Sequence, residues 1–88
     1  MKNLPFTEEK ISENQYIRYF SKNVDDDDMT WHRDREDRIV EPLEENDWYF
    51  QLDNELPIKI DKKIIIPKET FHRAIKGKTD LCVKITKK

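Results

Sequence analysis

The sequence predicts a small all-β domain, and three features carry that expectation. Apolar and β-branched residues gather in short segments, turn residues interrupt them every 8–12 positions or so, and no segment of helical length keeps a 3.6-residue apolar period. Strands this closely spaced form a sandwich or closed barrel, here of about seven or eight strands.

Residues 1–13 are polar and read as an N-terminal arm, ordered or frayed, with one turn of helix expected at Glu8–Ser12. Residues 14–88 read as a single β-barrel domain. Its first strand is Gln15–Phe20, aromatic and β-branched, followed by the acidic run Asp25–Asp28. That run lacks the alternation and glycine of a calcium loop and reads as a solvated turn. Thr30-Trp31-His32 leads into Arg38-Ile39-Val40, and Pro42 with Glu44–Asp47 marks the next turn. Trp48–Leu52 is a strong strand, closed by Asp53-Asn54; Pro57–Ile60 alternates before the turn at Asp61–Lys63. Ile64–Ile66 ends at Pro67, Phe71–Ile75 follows, and Gly77–Asp80 turns the chain into Leu81–Ile85. Leu81, Val83 and Ile85 share one face, which leaves Cys82 on the other as a buried or inert thiol.

At 88 residues the chain is one domain, and 41% of it is charged. Leu, Ile, Val and Phe make up 25%, above the level of ~20% at which disorder becomes the default. The core is small, and exposed strand edges invite pairing with a second copy. Net charge is −2, so the basic excess that neutralises phosphates is missing and no nucleic-acid partner is expected. The single cysteine forms no internal disulfide, which fits a reducing compartment and a cytoplasmic location. No apolar run approaches ~18 residues and the first ten lack a signal-peptide core, so no membrane association is expected.

The histidines, His32 and His72, are the first candidates for chemistry. In a strand, His32 and Asp34 point to one face, and a distant His72 would complete a set of two histidines and one carboxylate. That set suits non-haem Fe(II) and also Zn, Mn, Co or Ni. Glu36 shares the parity of Asp34 and is an alternative carboxylate. Taken alone, two histidines in so charged a chain are more often simply solvated. Trp31, Trp48, Tyr49 and Phe50 read as core, with base stacking in an oligonucleotide-binding barrel as the competing use. Tyr49 and Gln51 share a face opposite Trp48, Phe50 and Leu52; if that pair faces inward, Gln51 can bond a ligand beside Arg38.

Read together, these residues resemble the cupin family of small double-stranded β-helix (jelly-roll) barrels. The second cupin motif, G-x5-P-x-G-x2-H, is matched at Pro67 and His72, with Asp61 and Glu69 at its glycine positions. The first, G-x5-H-x-H-x3-E-x6-G, finds His32, Asp34, Arg38 and Glu45 at its His, His, Glu and final Gly positions. The likeness runs from about Met29 to Ile85. It implies a cupin-like barrel, commonly a homodimer, that binds a divalent ion (Fe, Mn, Ni or Zn) at His32, Asp34 and His72. A small polar or anionic ligand would be oriented by Arg38, Gln51 and Glu36, in a dioxygenase- or isomerase-type metalloenzyme. Asp34 for histidine resembles the His-x-Asp … His order of the 2-oxoglutarate oxygenases, which share the barrel. The departures count too. Acidic residues at glycine positions must enter left-handed turns at a cost, and a guanidinium at Arg38 cannot ligate a cation. Arg38 therefore has three readings. It fills the pocket of a metal-free cupin that serves as an interaction or sensing module, it clamps a ligand anion, or it is a solvated member of the charged run 33–38.

Overall fold

The computed structural model describes residues 6–25 and 29–88. The expectations for residues 1–5, and for residues 26–28 of the acidic run, lie outside the described residues. Eight strands are present among the described residues: β1 (Phe6–Ser12), β2 (Gln15–Phe20), β3 (Arg38–Pro42), β4 (Tyr49–Leu52), β5 (Ile58–Lys59), β6 (Ile64–Ile66), β7 (His72–Ile75) and β8 (Leu81–Lys87). They form a five-stranded sheet in the order β1-β2-β8-β3-β6 and a three-stranded sheet in the order β5-β4-β7, antiparallel throughout. The all-β expectation and its strand count hold. Among the described residues no helix is long and apolar enough to cross a membrane.

Alternation within β8 sets the core. Leu81, Val83 and Ile85 are buried between the sheets, and pairing places Ile85 beside Val40 of β3. Ile64 and Ile66 of β6, Ile60, Phe50 and Trp48 complete the cluster. Each such aliphatic side chain contributes roughly 1.5–3 kcal/mol when fully buried. Trp48 has no exposed surface, and its indole N–H donates to the Thr79 carbonyl at 2.6 Å, so its one polar atom is satisfied. Cys82 is buried on the far side of β8, where desolvation pushes its thiol pKa up, as suits an unreactive sulfur.

Three local expectations change. Glu8–Ser12 is no helical turn but part of β1. Phe6 lies opposite Phe20 and Glu8 opposite Arg18, and the ladder with β2 overrides the weak helical preference of the segment. Thr30–His32 does not extend a strand; it makes one isolated bridge, His32 to His72. At β4 the inward positions are those of Phe50 and of Trp48 just before the strand, whereas Tyr49 is exposed. One expectation about turns holds at Glu69, which replaces a cupin glycine and sits at φ 60°, a left-handed conformation costly for a residue with a Cβ.

Candidate metal centre

The loop between β2 and β3 brings His32 and Asp34 to β7. Two backbone hydrogen bonds tie His32 to His72, at 3.0 and 2.8 Å, and Glu69 N–H donates to the Asp34 carbonyl at 2.7 Å. Asp37 accepts from Lys68 N–H at 2.7 Å, so the turn before β7 fixes both ends of the segment. Because His32 and His72 are paired, their side chains lie on one side of the bridge, with ring centroids 4.3 Å apart. Their chain neighbours pair crosswise as well. The Arg73 guanidinium lies 4.9 Å from the Trp31 ring, and that of Arg33 lies 5.2 Å from the Phe71 ring. These two cation–π contacts brace the loop where its ladder is shortest.

Each histidine has its Nδ1 beside the carbonyl two residues earlier: His32 to Thr30 at 3.1 Å and His72 to Thr70 at 2.8 Å. A carbonyl only accepts, so Nδ1 carries the proton, and in the neutral ring Nε2 presents its lone pair. This is the arrangement that orients metal-ligating imidazoles. His72 is buried, and desolvation, reinforced by His32 and Arg38, lowers its pKa despite the Thr70 carbonyl and the Asp34 carboxylate. His72 Nε2 stands 3.3 Å from Asp34 Oδ2. Burial favours the neutral ring, and in that form the contact is not an ion pair. Two acceptors face each other.

Asp34 Oδ2 is the one buried side-chain polar atom among the described residues with no hydrogen-bond partner. Leaving such an acceptor dry costs about 1–3 kcal/mol, and a cation between the two acceptors removes that cost. The donors of His32, Asp34 and His72 lie within 4.8 Å of one another. Ligands about 2.1 Å from one ion stand roughly 3.0–3.4 Å apart at tetrahedral to octahedral angles. The His72–Asp34 pair already has that spacing, and the widest pair needs a modest closure. His32 is exposed, which leaves the corner open to exchange.

Arg38 is not a solvated member of the charged run. Its guanidinium donates through Nε and Nη2 to Glu36 Oε1 at 3.0 and 2.9 Å, and Nη2 reaches Asp34 Oδ1 at 3.3 Å. The bond from Arg38 holds the Glu36 carboxyl below its ordinary pKa. Glu36 thus serves Arg38 and is not one of the three clustered donors. Gln51 is also elsewhere: it accepts from Arg73 Nε at 3.0 Å and donates to the Glu55 carbonyl at 2.9 Å. Its strand neighbour Phe50 takes the inward position.

Behind the corner lies a cavity of about 120 Å³, lined by His32, His72, Arg38 and Thr30 at the polar end and by apolar core side chains beyond. Arg18 also reaches it, ion-paired to Glu8 and with its guanidinium carbon 4.2 Å from the Phe6 ring centroid. Sequence reasoning missed Arg18. The signal was its parity with Phe20, two residues along the same inward face of β2.

No family model and no curated protein sequence matches the chain. Solved structures do. A structure from work on the DMSP lyases RdDddP and RnDddQII aligns with a TM-score of 0.72 at 12% identity, over 84% of this chain and 37% of that one. The chain thus spans a little over a third of that protein's length. KdgF from Halomonas sp. aligns with a TM-score of 0.67 at 13% identity, over 97% of this chain and 82% of that one. A cupin domain, bp2299 of Bordetella pertussis Tohama I, aligns over 100% of this chain and 98% of its own, with a TM-score of 0.58 and 18% identity. The fold is therefore that of the cupins. Within it the chain brings together two imidazoles and one carboxylate, with an arginine bonded to that carboxylate.

Proposed function

We propose that this cupin-fold protein binds one divalent ion through His32 Nε2, Asp34 Oδ2 and His72 Nε2, and acts on or senses a small molecule in the cavity behind it. The observation that carries this reading is the orphaned, buried Asp34 oxygen facing Nε2 of the buried His72. Fe, Mn, Ni and Zn all suit two histidines and a carboxylate. When bound, such an ion polarises a carbonyl or lowers the pKa of a bound water. The protein's own part is to hold both rings by their Nδ1–H bonds, to hold Asp34 through Arg38, and to leave the exposed side beside His32 open.

A second reading has its own support. Arg38 already places a cation against Asp34, which weakens binding of another and suits a metal-free interaction module. Elemental analysis of protein purified without chelators, alongside His72→Ala, separates the two. Near one equivalent of metal in the wild type, lost in a folded variant, supports the metal centre. Absence of metal, with no uptake of Zn or Co(II) on titration, leaves the module.

A further inference from the structure

The cavity defines the chemistry of its ligand more closely than a small polar molecule. His32, His72, Arg38 and Thr30 lie at one corner and Arg18 on the β2 wall, while Phe20, Val40, Ile66, Val83 and Ile85 line much of the remainder. Both arginines on its wall are already spoken for: Arg18 by Glu8, and Arg38 by Asp34 and Glu36. With formal charges, Asp34, Glu36 and Arg38 sum to one negative charge, so an anion has no electrostatic reason to enter the metal-free corner. A bound dication reverses this and leaves one positive charge, which a single anionic head neutralises. Among the described residues Arg38 Nη1 has no partner, and it remains available to donate to that head.

Size follows from comparison with an engineered apolar cavity of roughly 150 Å³, which accommodates benzene. A space of about 120 Å³ takes a body of some four or five carbons. We infer that the protein's ligand is a short-chain aliphatic monocarboxylate, with its carboxylate at the His32–His72–Arg38 corner and its alkyl body in the barrel. This inference rests on the metal reading above and deepens it.

The probe is 3-methylbutyrate, titrated calorimetrically into Co(II)-loaded protein beside acetate, which has the head without the body, and 3-methylbutan-1-ol, which has the body without the charge. Each buried methylene is worth roughly fourfold in affinity, so 3-methylbutyrate is expected to bind more than about tenfold tighter than acetate. It is also expected to bind more tightly than the alcohol, and to lose that advantage in metal-free protein. Ala74→Leu, which plugs the cavity wall, abolishes binding of 3-methylbutyrate while Co(II) still binds. Should that variant not fold, methyl shifts of Val83 and Ile85 in the wild type report whether the alkyl body enters the barrel. Equal affinity for acetate and 3-methylbutyrate, or unmoved Val83 and Ile85 methyls, overturns the inference and leaves the metal centre standing. Failure of Co(II) to bind overturns the metal reading, and the carboxylate preference falls with it; the metal-free cavity then favours the alcohol.

Discussion

Asp34 and Asp47 are both loop carboxylates that close a gap between strands, yet their surroundings are opposite. Asp47 accepts hydrogen bonds from Lys78 N–H, Thr79 N–H and the Thr79 hydroxyl, at 2.8–3.1 Å. Its neighbour Asn46 bonds the Ile60 carbonyl and Trp48 N–H, and Trp48 reaches Thr79. Gly77 is required there, since a Cβ would fall 2.0 Å from Asp47 Oδ1. That end of the barrel is built as a closed knot of bonds. At the other end Asp34 has one oxygen on Arg38 and the other buried without a partner. A saturated carboxylate supports the fold, whereas a buried unsaturated one lowers stability and is retained for what it can bind.

The largest effect is expected on the saturated side. Trp48→Ala empties the centre of the core and orphans the Thr79 carbonyl, at a cost of roughly 3–5 kcal/mol. A small domain has on the order of 5 kcal/mol in total, so the variant should keep only about 0–2 kcal/mol, with up to about half of it unfolded at 25 °C. Urea unfolding followed by circular dichroism measures this. A native-like midpoint would remove the contrast between the two ends.

The opposite sign is expected at the other carboxylate. In Asp34→Asn, an amide N–H takes the place of Oδ2 and donates to His72 Nε2, converting two opposed acceptors into a hydrogen bond. The metal-free variant should be more stable than the metal-free wild type by about 1 kcal/mol. Its affinity for Zn should fall by more than the roughly 10–100-fold typical of losing an outer partner. Paired unfolding and metal-titration curves read both. A variant that loses stability together with metal would mean that Asp34 is structural after all, like Asp47.

How far the sequence foretold these two ends also differs. The strand pattern was legible because apolar alternation in Leu81–Ile85 and the turn residues around it are local signals. The spacing of His32, Asp34 and His72 was legible through the cupin motifs, since Pro67 and His72 fix the second motif and His32 the first. What could not be read was cross-strand partnership. Glu8–Ser12 is short and polar, and only its ladder with β2 makes it a strand. The braces between Trp31 and Arg73 and between Arg33 and Phe71 exist because residue 32 pairs with residue 72, a registration across forty positions. Gln51 was open to assignment because alternation in Trp48–Leu52 yields two faces without stating which is inward; the burial of Trp48 and Phe50 decides it. The Asp47 knot escaped notice because Asp47-Trp48 and Gly77–Thr79 each look like ordinary turn and strand residues until the fold places them together.

The smallest expected effect is one of pH, and it is read at Asp47. The N–H groups of Lys78 and then Thr79 hold its carboxyl below the ordinary aspartate value. On acidification the unfolded chain therefore takes up this proton before the folded one does. Stability from Asp47 is complete above about pH 4, the ordinary aspartate pKa, and is lost as pH falls through the lower folded value. Asp47→Asn keeps one accepting oxygen but no charge, so its melting temperature should depend less on pH than that of the wild type over this acid range. Solvent reaches Asp47, so the difference between the two curves should be modest and should shrink further in high salt. Thermal melts between pH 2 and 6 at two salt concentrations test it. Parallel curves for wild type and variant would show that the Lys78 and Thr79 bonds are geometric closures rather than a source of acid-sensitive stability, and the two carboxylates would then differ only in their hydrogen bonds.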